Sequence, residues 1–494
     1  MHEVRVSGRR IPATRPATRG LLHRDSLLWL ALVCLLFLAA ELTPALLRMP
    51  LGADEITYIA RTSIRPSPIG LPPVHGQGAG LLAAPVTLLT TSLLVLRIWM
   101  SVLSSVGLFL ALLCWRGLRP VWLLALAGLV LASLAITQNS GVQVYPDWWG
   151  ALGLLALTAL FLHAVNGTMR NRLVLPLITL ASLVIVVMRP QNIVFLMGPV
   201  IIGSLALRRW RKPKVIAAMA VGIALGLLEW VLGAYLWFGG LMNRIHLAGQ
   251  EPPALRLYPA LGTQLRYLNG PWYCSTDCST WATPLESPWW IAFLAIALVG
   301  LWAGWHAAQR ASSMLAAVTA LWVFLLYAFL VPFGAPRYLL PTLALMAILI
   351  ADGIVWGVTE SRWRKPAIVV TCVFLVSGMV TQRLILQGQV SYQRFARQFE
   401  LQAAQVKAVG VKAPCVMEST SIAWYAGCSS PQTGTGIVQF LADTPQGLKG
   451  WRLLQVPGLS IAVYVPDNSP LLKIHGLTAA RNDVSNGALS DTGY

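Results

Sequence analysis

The 494-residue chain carries 37 Lys and Arg against 18 Asp and Glu, a formal net charge of +19, yet charged residues make up only 11% of it and hydrophobic ones 56%. Soluble domains hold about a quarter charged residues, so this composition, with a mean hydropathy of +0.66, excludes an ordinary soluble protein and reads as an integral membrane protein. The basic residues fall in short clusters between apolar runs, which argues against nucleic acid as the partner of the positive charge.

Residues 1–25 hold Arg5, Arg9, Arg10, Arg15, Arg19 and Arg24 and read as a polar cytoplasmic tail. The apolar run 26–47 is too long for the hydrophobic region of a signal peptide and further spans follow it, so it reads as an uncleaved first helix leading outward. Immediately after it, Met49–Tyr58 brings the acidic pair Asp54–Glu55. Such a pair is either a solvated loop on the non-cytoplasmic side or a catalytic base at the membrane surface, and the rest of the chain has to decide. Residues 78–95 are apolar but broken by Gly78, Gly80 and Pro85. Counted as a span, this stretch would put every later basic cluster on the wrong side, so it reads as an interfacial or re-entrant helix.

Helical spans are then expected at 97–115, 120–137, 148–165, 173–188, 191–207, 215–238, 287–306, 313–333, 337–358 and 367–384. Apolar runs of this length, without strict alternation, are helices rather than barrel strands. The turns assigned to the cytoplasm hold Arg116 and Arg119, Arg170 and Arg172, Arg208 to Lys214, Arg310, and Arg362 to Lys365. All are basic, as the positive-inside rule requires. The expected architecture is therefore an all-α polytopic membrane protein of about eleven transmembrane helices, with a tail at 1–25, a membrane domain at 26–384 and a small extracytoplasmic α/β domain at 385–494. In that last segment a polar helical pattern near 391–412 precedes short β-like runs at 437–441 and 459–465. Cys274 with Cys278 and Cys415 with Cys428 form two pairs, each within one external segment, where an oxidising compartment permits disulfides.

The polar residues at the outer ends of the spans carry the chemistry. Asp54 and Glu55 follow the first span, Asp147 opens the fourth, Arg189 lies in a short Arg-Pro turn, and Arg337-Tyr338 starts the tenth. Lone arginines outside break the positive-inside trend and call for a partner. A carboxylate that takes a proton from an acceptor hydroxyl, with arginines that stabilise a departing phosphate, suits transfer from a lipid-linked phosphate sugar. Taken singly, an Arg-Tyr at a helix start is also a headgroup anchor, and Asp147 is also a helix N-cap. Of the charges inside spans, Glu41 and Glu229 fall in outer halves that can line the same cavity as Asp54, while Asp352 is expected to pair with the Arg362–Lys365 cluster.

The order of these residues resembles the GT-C superfamily: Asp54-Glu55 with Tyr58 after the first span, an interfacial helix, Asp147, an Arg-Pro turn, then Arg337-Tyr338-Leu339-Leu340-Pro341 before a late span. In style it is similar to the protein mannosyltransferase and lipid A aminoarabinose transferase group, over about residues 26–360. The resemblance implies an inverting glycosyltransferase of the bacterial inner membrane. Its donor would be a sugar (mannose, arabinose or similar) on polyprenyl phosphate, and its acceptor an envelope glycan, glycolipid or protein on the outer side. It implies Asp54 as general base, Glu55 and Asp147 as helpers, Tyr58 and Tyr338 in the substrate site, and Arg189 and Arg337 on the donor phosphate. Direct transfer requires no cofactor, although some relatives use a divalent cation. The 239–286 segment lacks a family signature but is basic, and His246 and Arg256 are its substrate-binding candidates. No β-trefoil-like insert is evident, which weighs against a protein acceptor. A transporter or flippase of lipid-linked glycans, and a polymerase or ligase working through His246 and Arg256, are the rival expectations.

Overall fold

The computed structural model describes residues 26–64, 71–250, 257–266, 268, 287–306, 309–332, 334–360, 362–393, 397–412, 415–417, 419–428, 451–455, 463–466, 468–473 and 478–480. Ser26 caps α1 (Leu27–Glu41) by accepting from the Leu28 N–H at 3.3 Å, and the chain restarts as a single turn, α2 (Pro44–Leu47). Two short helices follow, α3 (Ala53–Ile59) and α4 (Gly78–Thr87), before the first long one, α5 (Leu93–Leu113), capped by Ser92. The stretch 78–95 is thus a short helix and a turn, too short to cross a bilayer. α6 (Val121–Ser133) and α7 (Ala135–Gly141) meet at a bend of 82°. α7 is polar, and its start is held by Gln382, whose Oε1 accepts from the Ala135 N–H at 2.9 Å.

α8 (Pro146–Asn166) has Pro146 in its first turn, where no N–H is needed, and ends at Gly167 in the left-handed region. α9 (Asn171–Met188), α10 (Asn192–Phe195), α11 (Gly198–Ala206), α12 (Pro213–Trp237), α13 (Leu241–Gln250), α14 (Leu261–Arg266), α15 (Ser287–His306) and α16 (Arg310–Leu330) follow. A 3-10 turn, Pro336–Leu339, leads into α17 (Leu340–Thr359) and α18 (Arg364–Gln393).

Among the described residues, eight helices are long and apolar enough to cross a membrane, or nine if the bent α6–α7 pair is one span. The expected spans 97–115, 148–165, 173–188, 215–238, 287–306, 313–333, 337–358 and 367–384 coincide with α5, α8, α9, α12, α15, α16, α17 and α18. The other three are broken: 26–47 into α1 and α2, 120–137 into α6 and α7, and 191–207 into α10 and α11. α8 and α17 form the centre, with 89% and 83% of their apolar windows buried, whereas α18 exposes most of its own at 22% buried. A helix apolar on all sides belongs inside a bundle or in lipid, and packing decides which. α15 lies close on α17, because Gly300 and Gly353 face each other's backbones and a Cβ on Gly300 would strike the Leu349 carbonyl.

After α18 the chain forms α19 (Arg397–Ala408), strand β1 (Val416–Met417), α20 (Thr420–Ala426), and strands β2 (Trp451–Gln455), β3 (Val463–Pro466) and β4 (Thr478–Ala480). The strands make an antiparallel sheet in the order β1-β3-β2-β4 over a small core that includes Ala403, Val406, Met417, Ile422 and Val463. Cys415 and Cys428 are joined in a disulfide, as their pairing by segment leads one to expect. Cys274, Cys278, the run 437–441 and the tail 1–25 lie outside the described residues.

Candidate functional site

The site starts from a buried ion pair. Glu55 is the third residue of α3, and its Oε2 accepts from the Gly52 N–H at 3.1 Å, closing the helix's first turn. Both carboxylate oxygens face the guanidinium of Arg97, from the start of α5, and both side chains are 0% exposed. Such a pair is stable only when its remaining lone pairs and protons are also satisfied. They are: Glu55 Oε1 accepts from the Val144 N–H at 2.9 Å, and Arg97 donates to the carbonyls of Pro50 at 3.1 Å, Met49 at 3.2 Å and Val142 at 3.0 Å. The pair binds the approach to α3, α3 itself and the approach to α8 into one unit. Asp54, one residue back and about 100° round the helix, is turned outward and is 47% exposed.

Opposite Asp54 stands Arg337, from the 3-10 turn before α17. Its Nη2 donates to Asp54 Oδ2 at 2.9 Å, and its Nε lies 3.4 Å from Asp147 Oδ2 at the start of α8. Asp147 also faces Arg189, with Nη1–Oδ1 at 3.2 Å. Asp54, Arg337, Asp147 and Arg189 therefore form one alternating chain of charge, of which only Asp54 is open. Aromatic rings wall it in. The Arg337 guanidinium sits 4.6 Å from the centre of the Tyr145 ring, and Tyr338 lies 5.2 Å from the Arg189 guanidinium. Tyr338 in turn stacks on Tyr327 at 5.1 Å.

A second layer supports this one. Tyr58 is fully buried beside Arg189, and its ring stacks on His75 at 5.2 Å. Burial holds the Tyr58 phenol above its usual range, with Arg189 pulling the other way. His75 is pushed down to about 3, first by burial and then by Arg189, Arg337 and Arg244, against the opposing pull of Asp54. The His75 loop is fixed by Arg244 of α13, which donates to the carbonyls of Pro73 at 3.0 Å, Trp230 at 2.6 Å and His75 at 2.8 Å. Glu229 of α12 accepts from the Gln77 N–H at 3.1 Å and caps the approach to α4. Among the described residues, no group of three or more His, Cys, Asp and Glu stands at metal-binding distance.

No protein-family model and no curated protein matches the sequence. Solved structures do. ArnT from Cupriavidus metallidurans bound to undecaprenyl phosphate superposes with a TM-score of 0.56 at 14% identity, covering 85% of this chain and 88% of its own. The same protein in the apo state gives 0.53 at 13% identity, covering 83% and 85%. The oligosaccharyltransferase of Archaeoglobus fulgidus gives 0.48 at 10% identity, covering 81% and 63%. This chain has a GT-C fold.

Within the GT-C fold, the sequence-predicted residues Asp54, Glu55, Tyr58, Asp147, Arg189, Arg337 and Tyr338 come together at one end of the bundle. Glu55 is closed off by Arg97 and the backbone, so it has no face toward a substrate. His246 is not brought in; it is exposed on α13 and accepts a hydrogen bond from Gln250 of the same helix at 2.9 Å. Arg256 lies outside the described residues. Glu41 bonds Ser104 at 3.0 Å, and Glu229 caps the Gln77 segment. Asp352 does not pair with the Arg362–Lys365 cluster. It accepts from Arg119 Nε and Nη2, each at 2.8 Å, while Ser312, Ser313 and the Leu118 carbonyl accept the guanidinium's other hydrogen bonds at the opposite end of the bundle. The reason is facing: Asp352 points from α17 toward the α5–α6 turn and α16, not toward its own C-terminus.

Arg97 and His75 are supports that the sequence pattern did not single out, and Arg244, which contributes to the basic character of 239–286 expected to meet a donor phosphate or an anionic acceptor, holds the His75 loop instead. Arg97 had a readable signal, being a third arginine at an end of a span expected to face outward, like Arg189 and Arg337. His75 sits in a Pro-Pro-Val-His-Gly loop with nothing to mark its burial.

Proposed function

We propose that this chain is an inverting glycosyltransferase. It moves a sugar from a polyprenyl-phosphate donor to an envelope glycan, glycolipid or protein on the non-cytoplasmic side of a bacterial plasma membrane, with the N-terminus inside. The observation that carries the reading is the contrast across one ion pair: Asp54 is 47% exposed while its partner Arg337 is 4% exposed. A carboxylate open to an acceptor beside an arginine locked in the wall is the arrangement that proton abstraction and phosphate departure require. The bound undecaprenyl phosphate of the ArnT structure with the same fold supports a lipid phosphate as the donor's leaving group.

In this reading Asp54 takes the proton of the acceptor hydroxyl. The acceptor oxygen attacks the anomeric carbon, the bond from that carbon to the phosphate oxygen breaks, and the electron pair leaves with the polyprenyl phosphate. Arg337 and Arg189 stabilise the departing anion, Asp147 holds both arginines in place, and the proton passes from Asp54 to solvent. Glu55 positions Asp54 through Arg97 and touches no substrate. A sugar such as mannose or arabinose suits the resemblance to the mannosyl- and aminoarabinosyltransferases. The displacement calls for no cofactor.

The test is transfer from labelled polyprenyl-phosphate sugars in membranes, with and without EDTA, comparing the wild type with Asp54→Asn. Loss of transfer in the variant, with donor binding retained, is the expected result. Unchanged transfer moves the base to Asp147, and no transfer by the wild type from any donor favours a transporter.

A further inference from the structure

A cavity of about 170 Å³ lies beside α3, where the α4–α5 turn meets α19 and α20. It is separate from the charged chain. Ile59, which lines it, is five residues beyond Asp54 and so about 140° round the helix. Its walls are of two kinds. Leu51, Ile59, Leu93 and Leu96 give it an apolar side. Thr90, Thr91, Ser92, Tyr425 and the carboxylate of Glu400 give it a polar rim.

The rim's chemistry is selective. Thr90 Oγ1 accepts from the Ser92 N–H at 3.1 Å, and Ser92 Oγ from the Val95 N–H at 3.4 Å. Among the described residues neither hydroxyl donates to a protein acceptor, so each has its O–H to offer. Glu400 offers acceptors, and among the described residues no Lys, Arg or His lines the space. A phosphate or other anion would meet a carboxylate with no compensating cation among the described lining residues. A ring with an apolar face and a hydroxyl rim satisfies both walls. The cavity also adjoins an apolar surface, because Leu88 and Leu89, just before Thr90, are 56% and 81% exposed. It is coupled to the site: the Tyr425 hydroxyl accepts from the Leu51 N–H at 3.3 Å, three residues before Asp54.

We propose that this cavity is a subsite for a neutral sugar unit of the acceptor, built jointly by the α4–α5 turn and the C-terminal helices. The assignment rests on the glycosyl-transfer reading for the word acceptor, and its size fits a single ring rather than a drug-sized ligand.

The experiment is saturation-transfer NMR on the full chain in phospholipid nanodiscs free of sugar detergents. The probes are the methyl glycosides of mannose, glucose, galactose and arabinose, with methyl phosphate as the anionic control. At least one glycoside should show saturation and methyl phosphate none. The signal should fall at least tenfold in Glu400→Gln and in Thr90→Val/Thr91→Val, each checked for an unchanged unfolding midpoint, and persist in Asp54→Asn. No saturation from any glycoside, or equal saturation in the wild type and Glu400→Gln, overturns the subsite. Repeating the positive probe as a dialkyl glycoside in the disc separates the sources: tighter binding assigns a glycolipid, equal binding a soluble glycan. Wild-type transfer without glycoside saturation removes the subsite alone, and glycoside saturation without any transfer removes the enzymatic reading alone.

Discussion

Asp54 and Arg337 meet across 283 residues of chain, with Oδ2 and Nη2 2.9 Å apart. The contact closes α3 onto the turn that opens α17, and it joins the one exposed carboxylate of this ion-pair chain to its most central cation. Arg337 spans two carboxylates at once, Nη2 on Asp54 and Nε beside Asp147. A lysine has a single point of charge and cannot do so. Arg337→Lys should therefore lower kcat for sugar transfer roughly 10²–10³-fold, the magnitude of losing a placed electrostatic donor. Steady-state transfer assays check this, and a loss under threefold would show that the guanidinium geometry is irrelevant.

The Glu55–Arg97 pair should behave as structure rather than chemistry. Removing one partner strands a buried charge, at about 3–5 kcal/mol. Glu55→Ala is expected to lower the unfolding midpoint in detergent markedly and to reduce transfer through loss of folded protein. Exchanging the two residues should not rescue it, because the Gly52 and Val144 N–H groups need an acceptor where Glu55 stands. Full recovery in the exchanged variant would refute this account.

How far the sequence was legible follows from what kind of information each feature needs. α8 and α17 were readable as spans because length and apolarity alone define them. Asp54, Asp147, Arg189 and Arg337 were readable as a set because an ionised side chain at a membrane-facing helix end is costly without a partner. Which carboxylate stays open was not. Asp54 and Glu55 are neighbours of like chemistry, and only the position of Arg97 makes one buried and the other exposed. The break at Leu134 was also hidden, since Leu134 and Ala135 are apolar while the axis turns by 82°. The pairing of Asp352 with Arg119 needed the packing of α17 against α6 and α16, which spacing along one helix does not give.

Gly80 is a steric requirement of the site. A Cβ there would collide with the Tyr58 carbonyl oxygen, because α4 crosses directly over the end of α3. Gly80→Ala keeps helix propensity favourable, so any loss comes from the forced separation of the two helices, about 1–3 kcal/mol of overpacking. Transfer should fall at least tenfold while the chain still inserts and folds. Wild-type activity in Gly80→Ala would mean that α3 tolerates displacement and that Asp54 is less finely placed than its contacts imply.

The last prediction concerns acid. His75 is packed against Tyr58 and faces Arg189, Arg337 and Arg244, with Asp54 the one opposing charge, and it is held down to about 3 by burial first and by these arginines second. An unfolded histidine titrates near about 6.5. Between those values the unfolded chain binds a proton that the folded chain refuses, so stability falls as pH falls through this window and is fully present above it. His75→Gln removes the titrating group while keeping a polar side chain of similar reach. At pH 7.5 the variant should unfold at a lower temperature than the wild type, since the stacking on Tyr58 is lost. As the pH is lowered toward 4, the wild type loses its His75 contribution and the variant has none to lose. The gap between the two midpoints should therefore narrow steadily below pH 6.5. Thermal unfolding in detergent at a series of pH values measures it, and a gap that stays constant or widens would show that His75 takes up its proton in the folded protein as readily as in water.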